Sequence, residues 1–211
     1  MRRRAFTTLL GGAAINHPGG NLTGLTYLTE SLEAKRIGLL HELVPKAQAI
    51  AVMFDPNIPG SELQAKEAQA AAAQIGVQSI VLSSNSEREF DQVFATLARE
   101  RVGALLIGSS SYFNNRRVEL IVLAARHQIP TIYEFREFAD AGGLLSYGPS
   151  LTDGYHQVGV YAGRIPKGTR PSDLPVVQPT RFELVINLKT AKALGLDVPP
   201  TLLARADDVI E

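Results

Sequence analysis

The sequence predicts an α/β fold built on a parallel sheet. Three observations lead there: helix and strand patterns alternate from residue 29 onward, short turn signals separate them, and the strand segments are near-continuous apolar runs. A strand covered by helices on both faces reads as such a run, whereas a half-exposed strand alternates.

The first helix is expected from Ser31 to Val44. Ile37, Leu40 and Val44 share one face, Glu30 and Glu33 suit the positive end of the helix dipole, and Pro45 stops the helix. Ala49 to Phe54 is the first strand, and Asp55-Pro56-Asn57-Ile58-Pro59-Gly60 the loop that leaves it. Ser61 with Gln64 has the spacing of a capping box, which opens a helix ending before Gly76. Ser79 to Leu82 is a second strand. Ser86 with Glu89 predicts another capping box, for a helix whose apolar side holds Phe90, Val93, Phe94 and Leu97.

Ala104 to Ile107 is the third strand, followed by a polar loop from Gly108 to Asn114 and a helix to His127. Thr131 to Tyr133 is a short fourth strand. Leu144 to Tyr147, after Gly142-Gly143, reads as a fifth, and Leu151 to Ile165 as a helix closed by Pro166. Lys167 to Pro179 reads as a connector. Phe182 to Asn187 is a strand, and Leu188 to Leu194 a helix stopped at Gly195.

Composition narrows the function. Lys plus Arg and Asp plus Glu both count 21, so no net field recruits nucleic acid or an anionic membrane. The short basic clusters Arg116-Arg117 and Arg2-Arg3-Arg4 are too small for a nucleic-acid footprint. With no cysteine there is no disulfide framework, thiolate metal site or cysteine nucleophile. His17, His41, His127 and His156 are dispersed and lack metal-ligand spacing, so neither a metal nor a cofactor is expected. No serine sits in a Gly-x-Ser-x-Gly elbow, and Gly19-Gly20-Asn21-Leu22-Thr23-Gly24 lacks the preceding strand and the Lys-Ser/Thr ending of a phosphate loop. Enzyme function has no support.

The start, Met1-Arg2-Arg3-Arg4-Ala5-Phe6 with an apolar stretch from Leu9 to Ala14, has the charge-then-apolar order of an export leader, but no small-residue cleavage site follows.

Ligands of open parallel sheets sit outside the carboxyl ends of the strands. The loops there carry Asp55 and Asn57, then Ser83-Ser84-Asn85, Ser109 to Asn114, Tyr133-Glu134-Phe135, and Ser146-Tyr147-Gly148. Hydroxyl, amide and aromatic groups of this kind orient a small polar molecule. Each also has a plain structural role: Asp55 and Asn57 as turn formers, Asn114 or Asn115 as a helix N-cap. Tyr133 and Tyr147 each end an apolar strand and are expected to face a ligand rather than the core. Glu134 binds a ligand amine or pairs with Arg136.

The segments NHPGGNLTGLTYLT, SLEAKRIGLLHELVPKA, IPTIYEFREFADAGGLLSYGPSLTD and PTRFELVINLKTAKALGLDVPPTLLARADDVIE resemble the ABC-transporter substrate-binding family related to tryptophan- and tyrosine-binding proteins. The resemblance runs over residues 16–211. It implies the type I periplasmic-binding fold: two three-layer α/β lobes joined by crossing strands, a ligand clamped between them, and an ABC permease in the membrane as partner. It also implies that a segment of about a hundred residues, the bulk of a first lobe, is missing between the leader and GGNLTG. The expected organisation is therefore a truncated leader at 1–14, an interdomain crossover at 15–24, a second α/β lobe at 25–146, a first-lobe remnant and connector at 147–175, and a C-terminal crossover strand and helix at 176–211.

Carried over by position, the resemblance makes Asp55, Asn57, Tyr112, Phe113, Asn114, Tyr133 and Glu134 ligand-side residues, with Tyr147 added from its place at a strand end. Ser110-Ser111 depart from the family's acidic residue and proline, and Pro166 from its usual aliphatic residue. The implied role is solute binding for an ABC importer, located in the periplasm if the leader works and in the cytoplasm if it fails. The alternative is a ligand-sensing or partner-binding domain that dimerises through the exposed first-lobe remnant.

Overall fold

In the computed structural model, residues 20–27 and 32–211 are described. The leader at 1–14, the opening of the crossover through Gly19, and Glu30 lie outside them. The chain divides into a larger unit, residues 30–149 with 182–211, and a smaller one, residues 1–29 with 150–181.

The larger unit is a seven-stranded sheet between two helical layers. Its strands are β1 (Ala49–Phe54), β2 (Gln78–Ser83), β3 (Ala104–Ile107), β4 (Thr131–Tyr133), β5 (Leu145–Pro149), β6 (Phe182–Asn187) and β7 (Asp208–Ile210), in the order β2-β1-β3-β4-β5-β6-β7. All neighbours are parallel except β5 and β6, so the sheet is mostly rather than wholly parallel. Strand β6 continues this same sheet, and residues 182–211 belong to the larger unit.

Alternation along β1 explains both layers. Ile50 and Val52 point to one face and pack with Ile37 and Leu40 of α1 (Leu32–Leu43) and with Ala65, Ala68 and Ala72 of α2 (Ser61–Gln74). Ala51 and Met53 point to the other, toward Phe90, Phe94 and Leu97 of α3 (Glu87–Arg99) and Leu120 of α5 (Arg117–Arg126). The alanine-rich α2 lets its helix approach the sheet closely, since four of its five buried residues are alanines.

Two capping expectations are corrected. Ser61 is the first helical residue, and Gly60 holds the N-cap position at φ 86°, with no side-chain cap. Ser86 does stand at the N-cap of α3, but its hydroxyl makes no cap bond; the Glu89 carboxylate instead accepts the backbone N–H of Asn85 at 2.8 Å. The expected polar loop after β3 is partly helical: Ser110 caps a short α4 (Ser111–Asn115), accepting hydrogen bonds from the N–H groups of Tyr112 and Phe113. Neither Asn114 nor Asn115 is a cap, for Arg116 precedes α5. Three short elements were not expected at all: α6 (Arg136–Asp140), a helix at Pro200–Leu203 and β7.

In the smaller unit, α7 (Leu151–Arg164) runs into a 3-10 turn at Ile165–Lys167 that contains Pro166. Leu25 bridges Val177, and the Tyr161 hydroxyl donates to the Pro175 carbonyl at 2.8 Å. Only Gly154 and Tyr161 of α7 are buried. The Tyr27 hydroxyl packs against Gly154, in the space a Cβ would take.

Candidate functional site

The parallel strands β1 to β5 end on one edge of the larger unit, where the loops after β1 to β4 begin. Asp55 organises the first. It is buried; one carboxylate oxygen accepts the Asn57 N–H at 2.9 Å, forming a turn, and the other accepts the Ser110 hydroxyl at 2.6 Å. Because the same Ser110 oxygen caps α4, one carboxylate ties the loop after β1 to the loop after β3. The Asn57 side chain is exposed beside this tie.

Tyr112 is half-buried, its ring 5.7 Å from Phe90 and 6.0 Å from the Arg116 guanidinium carbon, which in turn pairs with Glu87 at 2.8 Å. Asn114 has a side-chain oxygen that is buried without a hydrogen bond. Phe113 does not face a ligand: it is 1% exposed and packs on Phe90 in the core. Tyr133 is corrected in the same way. It stacks on Phe138 at 4.5 Å and 15° and is 1% exposed, so burial pushes its hydroxyl well above the usual phenol range. Its place at the end of a strand misled because β4 alternates like the others and sends position 133 into the helical layer.

Position 134 therefore points to the opposite face, toward α1. Glu134 does not pair with Arg136, which binds Asp140, Glu183 and Asp208. Its partner is Arg36 of α1, at 3.7 Å. Arg36 is 1% exposed; it donates to the Tyr147 carbonyl at 2.8 Å and to the Glu33 carboxylate at 3.0 Å, while Nη2, nearest Glu134, is buried with no hydrogen bond. Burial raises the Glu33 carboxyl above its ordinary value, and the Arg36 charge only partly opposes this. Tyr147 itself is half-buried and stacks on Phe182 at 6.4 Å.

Arg36 and Glu33 are functional candidates that sequence reasoning missed. The signal was present: Arg36 stands one turn before Leu40 and one turn after Leu32, on the apolar side of a helix. A charge on such a stripe requires a buried partner.

The sequence profile of the family described as ABC transporter substrate binding protein matches residues 7–210. The chain belongs to that family. Family members are solute-binding proteins rather than enzymes. Its relatives include a tyrosine-binding protein of Clostridioides difficile (strain R20291), 23% identical over 184 residues, covering 87% of this chain and 52% of that protein. Among solved structures, a conserved domain protein from Vibrio cholerae has a TM-score of 0.80 at 22% identity, covering 92% of this chain and 65% of its own. An ABC domain in complex with L-Trp from Streptococcus pneumonia also reaches 0.80, at 23% identity, covering 93% and 65%. These likenesses establish the type I periplasmic binding fold. The chain spans about half the length of its curated relative and under two thirds of these structures.

Within the ABC substrate-binding family, a mostly parallel sheet of this kind is the frame of a lobe. Among the described residues no group of three or more His, Cys, Asp or Glu is placed to hold a metal, and no helix is long and apolar enough to cross a membrane. The smaller unit has a cavity of about 400 Å³, lined by residues that include Ser150, His156, Gln157 and Gln178. Asp153 and Arg181 at its wall lie 3.9 Å apart and offset each other's charge.

Proposed function

We propose that this chain is the solute-binding component of an ABC import system and that its ligand, a small polar molecule of the amino-acid type, sits on the carboxyl edge of the larger unit. What supports this reading is that Asp55 and Asn57, Ser110, Tyr112 and Asn114, and Glu134 follow the carboxyl ends of β1, β3 and β4, with Asp55 tied to Ser110. Parallel sheets bind ligands at this edge because the loops that follow the strands open there. Family membership supports the transport role, the tyrosine-binding relative and the L-Trp complex support an amino acid, and both Asp55 and Ser110 are already fixed before a ligand arrives. A site fixed in advance loses little entropy on binding.

The mechanism is binding and release, with no bond made or broken. The partner is an ABC permease, and the working location is the periplasm. A thermal melt of the full chain tests the reading: a panel of aromatic and aliphatic amino acids and other small polar metabolites should raise the midpoint for one ligand class, by mass action on the native state. A cooperative melt that no compound moves overturns it.

A second reading has one specific support. Tyr155, Val158 and Ile165 of the smaller unit are 72%, 45% and 37% exposed and recur at helical spacing, which suits a surface for a second copy. Light scattering across a hundredfold range of concentration decides it; a constant monomer mass removes this reading.

A further inference from the structure

The two edges of the sheet are built differently. At one edge, β7 is three residues long and carries Asp208, whose carboxylate pairs with Arg136 at 2.9 Å. Short length and a charge are the usual devices that keep an edge from pairing with another chain. The other edge, β2, has neither: its six residues include no charge and no proline, and its register with β1 runs without a bulge from Gln78 to Ser83.

The outer side of β2 is open. The N–H of Gln78 donates to the Gln48 carbonyl and that of Ser84 to the Phe54 carbonyl. Backbone groups alternate along a strand, so Ile80 and Leu82 also turn theirs toward β1, whereas Ser79, Val81 and Ser83 turn N–H and C=O outward. Among the described residues no strand lies beyond them. The segment Ser79-Ile80-Val81-Leu82-Ser83 also has the same character read in either direction. An antiparallel copy centred on Val81 therefore matches it throughout. Val81 meets Val81 and Ser79 meets Ser83 as hydrogen-bonded pairs, giving each outward N–H and C=O a partner, while Ile80 and Leu82 meet at the closer, non-hydrogen-bonded positions. The faces agree as well, since Ile80 and Leu82 lie on the α3 and α5 side and Val81 on the α1 and α2 side.

Charge fits the same two-fold. A shallow groove beside β2 is lined by Phe54, Glu62, Ala65, Lys66, Gln69 and Val81. Glu62 and Lys66 are exposed and one turn apart on α2. An axis through Val81 sets α2 antiparallel to its copy, so that Glu62 of each faces Lys66 of the other.

We infer that β2 joins two copies of this chain into a symmetric dimer whose sheet runs on from one copy into the next. The contact is distinct from the exposed residues of α7 and requires no ligand.

The test is sedimentation velocity of the full chain over about a hundredfold range of concentration. The mass should rise from one copy to two and stop there, because self-pairing uses up the bare edge of each copy. Val81→Pro removes an outward N–H and spares the bonds to β1, a position where edge strands tolerate proline. It should weaken the dimer about 10- to 30-fold, the worth of the hydrogen bonds lost from both copies. Ser83→Pro acts in the same way at the exposed end of the strand and takes its place if Val81→Pro fails to fold. Glu62→Lys should weaken the dimer, and adding Lys66→Glu should restore it. Because the chain has no cysteine, Val81→Cys supplies a single thiol that a short bis-maleimide should join between copies, whereas Arg126→Cys on α5 should stay unjoined. A mass of one copy throughout, a mass that grows past two copies, or a dimer that both prolines leave intact overturns the inference; in the last case a dimer broken by Tyr155→Lys assigns the contact to α7 instead.

Discussion

At the scale of single residues, Glu33 makes stability depend on pH. Its carboxyl is raised above the ordinary value of 4.5 by burial, so the folded chain holds this proton to higher pH than the unfolded chain does. Between the two values the native state binds more protons, and stability falls as pH rises through that window. Glu33→Gln should flatten this fall, which urea melts at a series of pH values from 4 to 7 will read. Gly148→Ala is a second prediction. The added methyl meets the Glu134 backbone just beyond β4, so the variant should lose about 1–3 kcal/mol in the same melts.

At this scale the sequence was only partly legible. The polar character of Asp55 and its turn were readable, and the bond from Asn57 N–H to Asp55 is the turn that short polar side chains make. The tie to Ser110 was not, because it joins residues 55 positions apart and depends on strand order. Tyr133 shows why an aromatic residue at a strand end misleads: a one-residue difference in the alternation sends the ring into the core instead of the crevice, whereas Phe113 is turned into the core by the short helix α4.

Among the elements, the strands and long helices could be read from apolar runs and helical spacing, since burial on both faces leaves a strong pattern. The short pieces could not. α6 has five residues and little periodicity of its own; Arg136 pairs with Asp140 within it and fixes it to Glu183 on β6 and Asp208 on β7. These three acidic partners hold the Arg136 guanidinium above its already high ordinary range. Arg136→Met should remove the ties from α6 to β6 and β7, lowering stability by about 1–2 kcal/mol and loosening β7 in hydrogen exchange. Ser110→Ala removes a cap and a loop tie together, with a loss of about 1–3 kcal/mol and faster exchange at the Asn57, Tyr112 and Phe113 amides.

For the whole molecule, the two units differ in how they hold together. The larger has two hydrophobic layers around seven strands, whereas α7 of the smaller buries only Gly154 and Tyr161. Amide exchange should therefore be slowest in β1 and β3 and fastest, among the long helices, in α7. The order of the strands has a further effect. Strand β5 gains its outer neighbour only when β6 pairs antiparallel to it, and β6 lies beyond the 32 residues of the smaller unit's second segment. On the ribosome, the β5 edge stays bare while residues 150–181 are being made, and the apolar Leu184 and Ile186 that complete its layer emerge later still. An unpaired strand edge is a template for joining other chains. Nascent chains stalled within this interval are therefore the form of the protein most exposed to chaperones and to aggregation, and the sheet closes only once residues 182–210 have left the exit tunnel.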